Sequence, residues 1–400
     1  MNSRRYLILL LVSMMLLTGC WSRKELNDYL LVSGIAVDKS GDQYVVSVQV
    51  TDPTQISKKT GGGGNSPILM YTQKGKSISD ALRKMTEILP RELYVGHISV
   101  LIISERLAKE GITDVLDYFR RRVQFRTDFN IVVARGPNAE STLKMLTPLE
   151  MVSATYLFNS LKTAQNMLAP IKVVKLDELI STLASEGKSA VITGLEVTGD
   201  FKNGQKMDNL KESVRPITIK LLGLTVFNGD QLVGWLNEDE SRAFNLITNN
   251  VSASGFVTEC PKGPGKITYS TIRSKTKLKG SVKEGIPHIN IHIRSELSID
   301  EMSCPMDMTS PNAVIDLQRN ASSYIKDLIR DTIDEVQSKY KTDIFGFGAV
   351  IHRSDRRAWK QMNSNWNEQF AQLQVSIQAD MKIREIGAII NPLTKKEEKE

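Results

Sequence analysis

The chain has 400 residues, 41% hydrophobic and 24% charged, with a formal net charge of +7. That is the composition of a globular protein too long for one ordinary core. The excess of cations forms no basic stripe with interleaved aromatics, which excludes the usual footprint of a nucleic-acid binder; a modest positive charge instead suits an anionic lipid surface.

Residues 1–19 start with Arg4 and Arg5, continue through an apolar stretch from Leu7 to Leu17 interrupted by Ser13, and end in Leu17-Thr18-Gly19-Cys20. This is the layout of a secretory signal peptide, and it falls short of the roughly 20 apolar residues that span a bilayer. Leu-Thr-Gly-Cys resembles a bacterial lipobox. Cleavage between Gly19 and Cys20 is therefore expected, with a diacylglyceryl group on the Cys20 sulfur. Two acyl chains anchor a protein stably where one holds it only marginally.

Residues 29–37 and 43–51 read as strands, the second as a half-buried antiparallel one because β-branched and polar residues alternate. Gly61-Gly62-Gly63-Gly64-Asn65-Ser66 is a flexible tip; no Lys-Ser or Lys-Thr closes it into a phosphate loop. A helix opens at Ser77 and stops at Pro90. A largely apolar strand at 97–103, a helix at 105–121 and a strand at 129–134 follow, a βαβαβ succession that argues for a sheet carrying helices. Helices are expected at 138–146, 151–168 and 175–185, then a strand at 190–199.

The polar stretch 199–215 reads as a linker between an N-terminal α+β region, 20–198 (with a candidate internal division at 137–150), and a C-terminal one, 216–390. The second region holds strands at 217–227, 231–236, 251–259, 266–280 and 287–299, and a helix at 238–247. Ser310-Pro311 opens a long amphipathic helix, 311–340, as a hydroxyl N-cap followed by proline. A helix at 344–371, a strand at 373–384 and a charged, disordered tail at 391–400 complete the chain. The expected fold class is α+β, with two to three domains, each a mixed or antiparallel sheet with helices packed on it.

No catalytic constellation emerges. His97, His288, His292 and His352 form no metal-binding spacing, and no Gly-x-Ser-x-Gly elbow is present. Glu238-Asp239-Glu240 reads as the acidic first turn of a helix, and Arg120-Arg121-Arg122 as the basic end of one. No metal or cofactor is expected beyond the lipid. Cys260 and Cys304, in an exported chain, are disulfide candidates; two buried free thiols are the alternative.

Three stretches carry a resemblance to a known family: GCWSRKELND at 19–28, RELYVGHISVLIISE at 91–105 and KYKTDIFGFG at 339–348, with Trp359, Trp366 and IRE at 383–385 behind them. They resemble the Ger(x)C family of spore germination lipoproteins, the C subunits of GerA-type nutrient germinant receptors. The resemblance implies a non-enzymatic lipoprotein of α+β domains on the outer face of the spore inner membrane. It also implies A and B subunits as partners, the B subunit transporter-like and sensing germinants. Arg91–His97 and Asp343–Gly348 are candidate partner surfaces, although Gly346, Gly348, Phe345 and Phe347 suit a bend and a core better. The competing classes are an exported hydrolase of cell wall or cortex, which needs two convergent carboxylates, and a transporter-associated binding lipoprotein.

Overall fold

The computed structural model of the protein describes residues 4–6, 28–51, 66–136, 139–147, 149–167, 170–199, 204–206, 217–251, 253–308 and 310–387. Gly19, Cys20, residues 61–65 and the tail 391–400 lie outside them. Two sheets organise the described residues. The first contains β1 (Tyr29–Ser40), β2 (Gln43–Thr51), β3 (Ile68–Gly75), β4 (Glu92–Tyr94), β5 (Val100–Ser104), β6 (Asn130–Arg135), β7 (Val191–Gly199), β8 (Ile217–Asn228) and β9 (Gln231–Trp235). Its spatial order is β3-β2-β1-β5-β6-β7-β8-β9, with β4 beside β1.

Strands β1, β5, β6 and β7 run parallel, and the outer strands are antiparallel. Parallel neighbours need a crossover, and the intervening helices are α1 (Ile78–Lys84), α2 (Glu105–Glu110), α3 (Thr113–Arg121), α4 (Glu140–Leu143), α5 (Ser153–Met167) and α6 (Leu176–Leu183). They cover both faces. Leu101 and Ile103 of β5 pack with Leu107, Leu116 and Phe119 on one side, whereas Val100 and Ile102 pack with Leu143, Leu157 and Leu161 on the other. A strand buried on both faces must be apolar at consecutive positions, which is why Val100–Ile103 is an unbroken apolar run.

Coverage of both faces overturns the expectation of a half-buried β2. Ser47 and Gln49 are as buried as their valine neighbours Val46, Val48 and Val50. Gln49 Nε2 donates to the Leu143 carbonyl and to Ser153 Oγ, each at 2.6 Å, and Oε1 accepts from Ser33 Oγ and the Ala154 N–H. A buried amide with every group paired is tolerated where an unpaired one is not. The helix expected at 105–121 is two helices, because Gly111, at φ +133°, turns the chain between α2 and α3. Strands β3 and β4 are additional to the strands expected from the sequence.

The second sheet has the order β10-β11-β12-β13, from β10 (Gly255–Glu259), β11 (Lys266–Lys283), β12 (Ile286–Met302) and β13 (Gln374–Glu385). α7 (Glu238–Ile247) precedes it, opened by a capping box between Asn237 and Glu240. α8 (Pro311–Glu335), continued by a π-helical turn Val336–Tyr340, lies on one face. Leu317, Ile325, Ile329 and Ile333 of α8 are buried against Ile289, Ile291, Ile293 and Leu297 of β12. Burying four such side chains contributes on the order of 10 kcal/mol before entropy is subtracted. Ser310 stands at the N-cap, but its side chain makes no capping bond.

The helix expected at 344–371 is three short ones, α9 (Phe347–Ser354), α10 (Arg356–Met362) and α11 (Trp366–Ala371). The break after α9 falls at Asp355, whose carboxylate accepts from the N–H groups of Arg357 and Ala358 and so restarts the chain as α10.

The stretch expected to be a linker, 199–215, joins two neighbours within the first sheet. β7 and β8 pair antiparallel from Val191↔Val226 to Gly199↔Ile217. β8 and β9 therefore belong to the first sheet, and the change of sheet falls after Trp235. Val191, Leu224 and Val226 also join the core of the second region, so the two regions share apolar packing.

Candidate functional site

The motif at 339–348 builds the joint between the two regions. Asp343 is 1% exposed. Its Oδ1 accepts from the Gly346 N–H at 2.8 Å, and its Oδ2 accepts from the Gly348 N–H at 2.7 Å and Trp366 Nε1 at 3.0 Å. Burial pushes this carboxyl up to about 6 against the pull of those donors. The Asp343 carbonyl accepts from the Ser189 N–H, and Ser189 Oγ meets Thr342 Oγ1. Trp359 Nε1 donates to Glu186, and Tyr340 Oη to the Trp235 carbonyl.

Two glycines allow this approach. A Cβ on Gly187, at φ +70°, would stand 2.6 Å from the Trp359 ring and 2.8 Å from the Gly348 Cα. The aliphatic stem of Lys188 lies over Gly346, where burial, with Lys172 nearby, lowers its pKa. Phe345 and Phe347 are buried and stacked on each other, ring centroids 5.1 Å apart. Asp343–Gly348 thus serves packing and the joint.

The motif at 91–97 is placed differently. Tyr94, Val95, Gly96 and His97 line an open groove of about 710 Å³ with Tyr29, Arg83, Tyr118 and residues 122–126. Tyr29 meets Tyr94 edge-on at 5.6 Å, and Tyr94 lies 5.3 Å from His97. Arg122 sits over the Tyr118 ring at 5.8 Å and reaches Ser79 Oγ. Arg126 faces Asp128 at 3.4 Å. Val123, at the tip of the turn, is 94% exposed. Tyr94 and His97 belong to a motif visible in the sequence, whereas Tyr29, Arg83 and Arg126 lie too far along the chain for any local pattern to join them. A second groove of about 920 Å³ runs between α5 and β8, lined by Tyr156, Met167, Leu221 and Trp235, with Arg135 over the Trp235 ring.

The other candidate residues are structural or stand apart. His288 Nδ1 contacts the Gln374 carbonyl, His292 Nε2 contacts Asp380 at 2.7 Å, and His352 stacks on Trp359. Among the described residues no group of three His, Cys, Asp or Glu is placed to hold a metal ion. Glu238 and Asp239 sit in the first turn of α7 and both contact Arg242. Cys260 and Cys304 are joined in a disulfide with Cα atoms 5.6 Å apart, tying the end of β10 to the end of β12. No helix among the described residues is long and apolar enough to cross a membrane.

Two family models match in order: the spore germination protein N-terminal domain over residues 22–197, and the spore germination B3/GerAC-like C-terminal domain over 222–387. The chain belongs to this family of spore germination proteins, the Ger(x)C family. Spore germination protein KC of Bacillus subtilis is 28% identical over 393 residues, covering 96% of each chain. The putative spore germination protein YfkR of the same organism is 25% identical, covering 97% of this chain and 98% of its own. The crystal structure of the GerBC protein superposes with a TM-score of 0.54 at 19% identity, over 88% of this chain and 96% of that one, and so shares its fold. The seam between the two family models falls inside the first sheet, at the connection of β7 to β8.

Proposed function

We propose that this protein is a lipid-anchored, non-enzymatic subunit of a spore nutrient germinant receptor, held by diacylglycerol on Cys20 to the outer face of the spore inner membrane. There it assembles with membrane-embedded A and B subunits and takes part in triggering germination. Family membership over nearly the whole chain carries the reading. The joint adds physical support. Two regions that share a core and lock through Asp343, Gly187 and Trp359 make a rigid scaffold, suited to holding partners in fixed relation. No cofactor beyond the covalent lipid and no nucleic acid enters this account. The hydrolase reading asks for two convergent carboxylates of perturbed pKa. The carboxyl that burial raises, Asp343, has both oxygens engaged by Gly346, Gly348 and Trp366.

The test is affinity capture from solubilised spore inner membranes, with Cys20→Ala in parallel. The wild type should co-purify with a transporter-like membrane protein and carry an acylated N-terminal cysteine by mass spectrometry. Cys20→Ala should leave the membrane fraction and lose germinant response. A Cys20→Ala protein that assembles and supports germination fully would sink the anchoring part.

A further inference from the structure

The groove at Tyr94 stands at the start of β1, whose first residue, Tyr29, lines it. Tyr29 packs edge-on against Tyr94, and the seven residues between Cys20 and Asp28 allow a reach of at most about 30 Å when extended. A lipid on Cys20 therefore keeps this face within one short tether of a bilayer.

The lining is charged to match. Arg83, Arg122 and Arg126 line it with one acid, Glu92, and Asp128 lies 3.4 Å from Arg126 at its edge. Val123 projects between two of these arginines, 94% exposed, and Tyr94 and Tyr118 line the same groove. An apolar tip flanked by guanidinium and phenol groups is the layout of a segment seated at a headgroup boundary, where amphipathic rings and long basic side chains sit at the polar level.

We propose that this groove and the turn 122–126 form a seat for an anionic phospholipid surface. The phosphates are held by Arg83, Arg122 and Arg126, and Val123 enters the acyl boundary. Two acyl chains secure the protein without fixing its orientation; the seat fixes it, and so decides which faces membrane-embedded partners meet. The fixed orientation depends on the proposed lipidation of Cys20, whereas binding depends on the groove alone.

The test uses the full mature chain with Cys20→Ser, so that no acyl chain contributes. Vesicles of equal parts phosphatidylglycerol and phosphatidylcholine are compared with pure phosphatidylcholine. Each basic residue near an anionic surface raises partitioning about fivefold. Partitioning should therefore favour the mixed vesicles by at least about tenfold and fall at high salt. It should drop at least about tenfold in Arg83→Glu/Arg126→Glu, and stay unchanged in Lys275→Glu/Lys277→Glu on the open face of β11. If the first variant melts early, Arg83→Gln/Arg126→Gln takes its place. Amide exchange at 83–97 and 118–126 should slow on mixed vesicles.

Equal partitioning on both vesicles overturns the proposal, as does anionic binding that the β11 variant abolishes and the groove variant spares. Slowed exchange in the groove only when a membrane-embedded partner protein is present would make the occupant a protein, and overturns it too. Absence of an acylated Cys20 peptide from native membranes would defeat the anchor while vesicle binding stood, so the two failures are distinguishable.

Discussion

The nine strands of the first sheet carry helices on both faces, whereas the four strands of the second carry α8 on one face and, among the described residues, leave the other open. The consequences differ residue by residue. Inside the first region a polar side chain has to be satisfied by protein, as Gln49 is by Leu143, Ser153, Ser33 and Ala154. On the open face of the second, polar residues pair across strands in contact with water. Glu296 is bonded by Arg273 and Arg384, which hold its carboxyl down to about 2, and His292 pairs with Asp380. Exposed pairs of this kind contribute little. The second region instead gains from one deep core, a cross-link between Cys260 and Cys304, and the indole-lined joint with the first. A sheet with two covered faces draws burial from both sides, and a sheet with one needs reinforcement elsewhere.

The joint is where that contrast breaks most easily. Gly187→Val meets both a left-handed backbone and the Trp359 ring, so a loss of about 3–5 kcal/mol is expected from strain and overpacking together. Urea unfolding followed by tryptophan emission reads it; a loss under about 1 kcal/mol would mean that the two regions are not locked at this contact. Cys260→Ser should cost about 2–4 kcal/mol, and the cost should be local. Amide exchange is expected to rise along β10 and β12 while β5 and β6 stay protected, and a uniform rise through both sheets would erase the distinction drawn above.

The smallest effect expected is that of Asp343→Asn, about 1–3 kcal/mol at neutral pH, because the amide nitrogen faces an N–H donor that the carboxylate accepted. Its pH dependence has a definite sign. Burial raises the Asp343 pKa above its unfolded value, to about 6, so the stability contributed by the protonated acid is present below the unfolded pKa and is lost as pH rises through about 6. Thermal melts of the wild type against Asp343→Asn should therefore diverge as pH is lowered from about 7 to about 5, the wild type gaining. A constant difference over that range would mean that the hydrogen bonds outweigh burial.

Much of the fold is legible along the chain where a segment's burial is uniform over several turns or pleats. The apolar run Val100–Ile103, the alternation of Ile289, Ile291 and Ile293, and the 3–4 spacing of α8 all report their surroundings locally. β4 is three residues long, too short for any period to register. Gly111 and Asp355 divide helices whose apolar spacing continues across the break, so periodicity alone joins what backbone geometry separates. Ser47 and Gln49 read as a wet face because the chemistry of a strand does not reveal that a helix over 100 residues later will cover it.

By itself the sequence determined the elements with strong periods, the two cysteines available for pairing, the signal-like start ending at Cys20, and the motifs that mark the family. Tertiary structure alone decided that β8 and β9 extend the first sheet, that Asp343 is buried in a joint, and that Tyr29, Arg83, Tyr94 and Arg126 line one groove. The physical reason is range. Periodicity records which side of a segment meets a core. Strand pairing, polar satisfaction and groove assembly depend on partners as far as 173 residues away, chosen by the packing of whole layers.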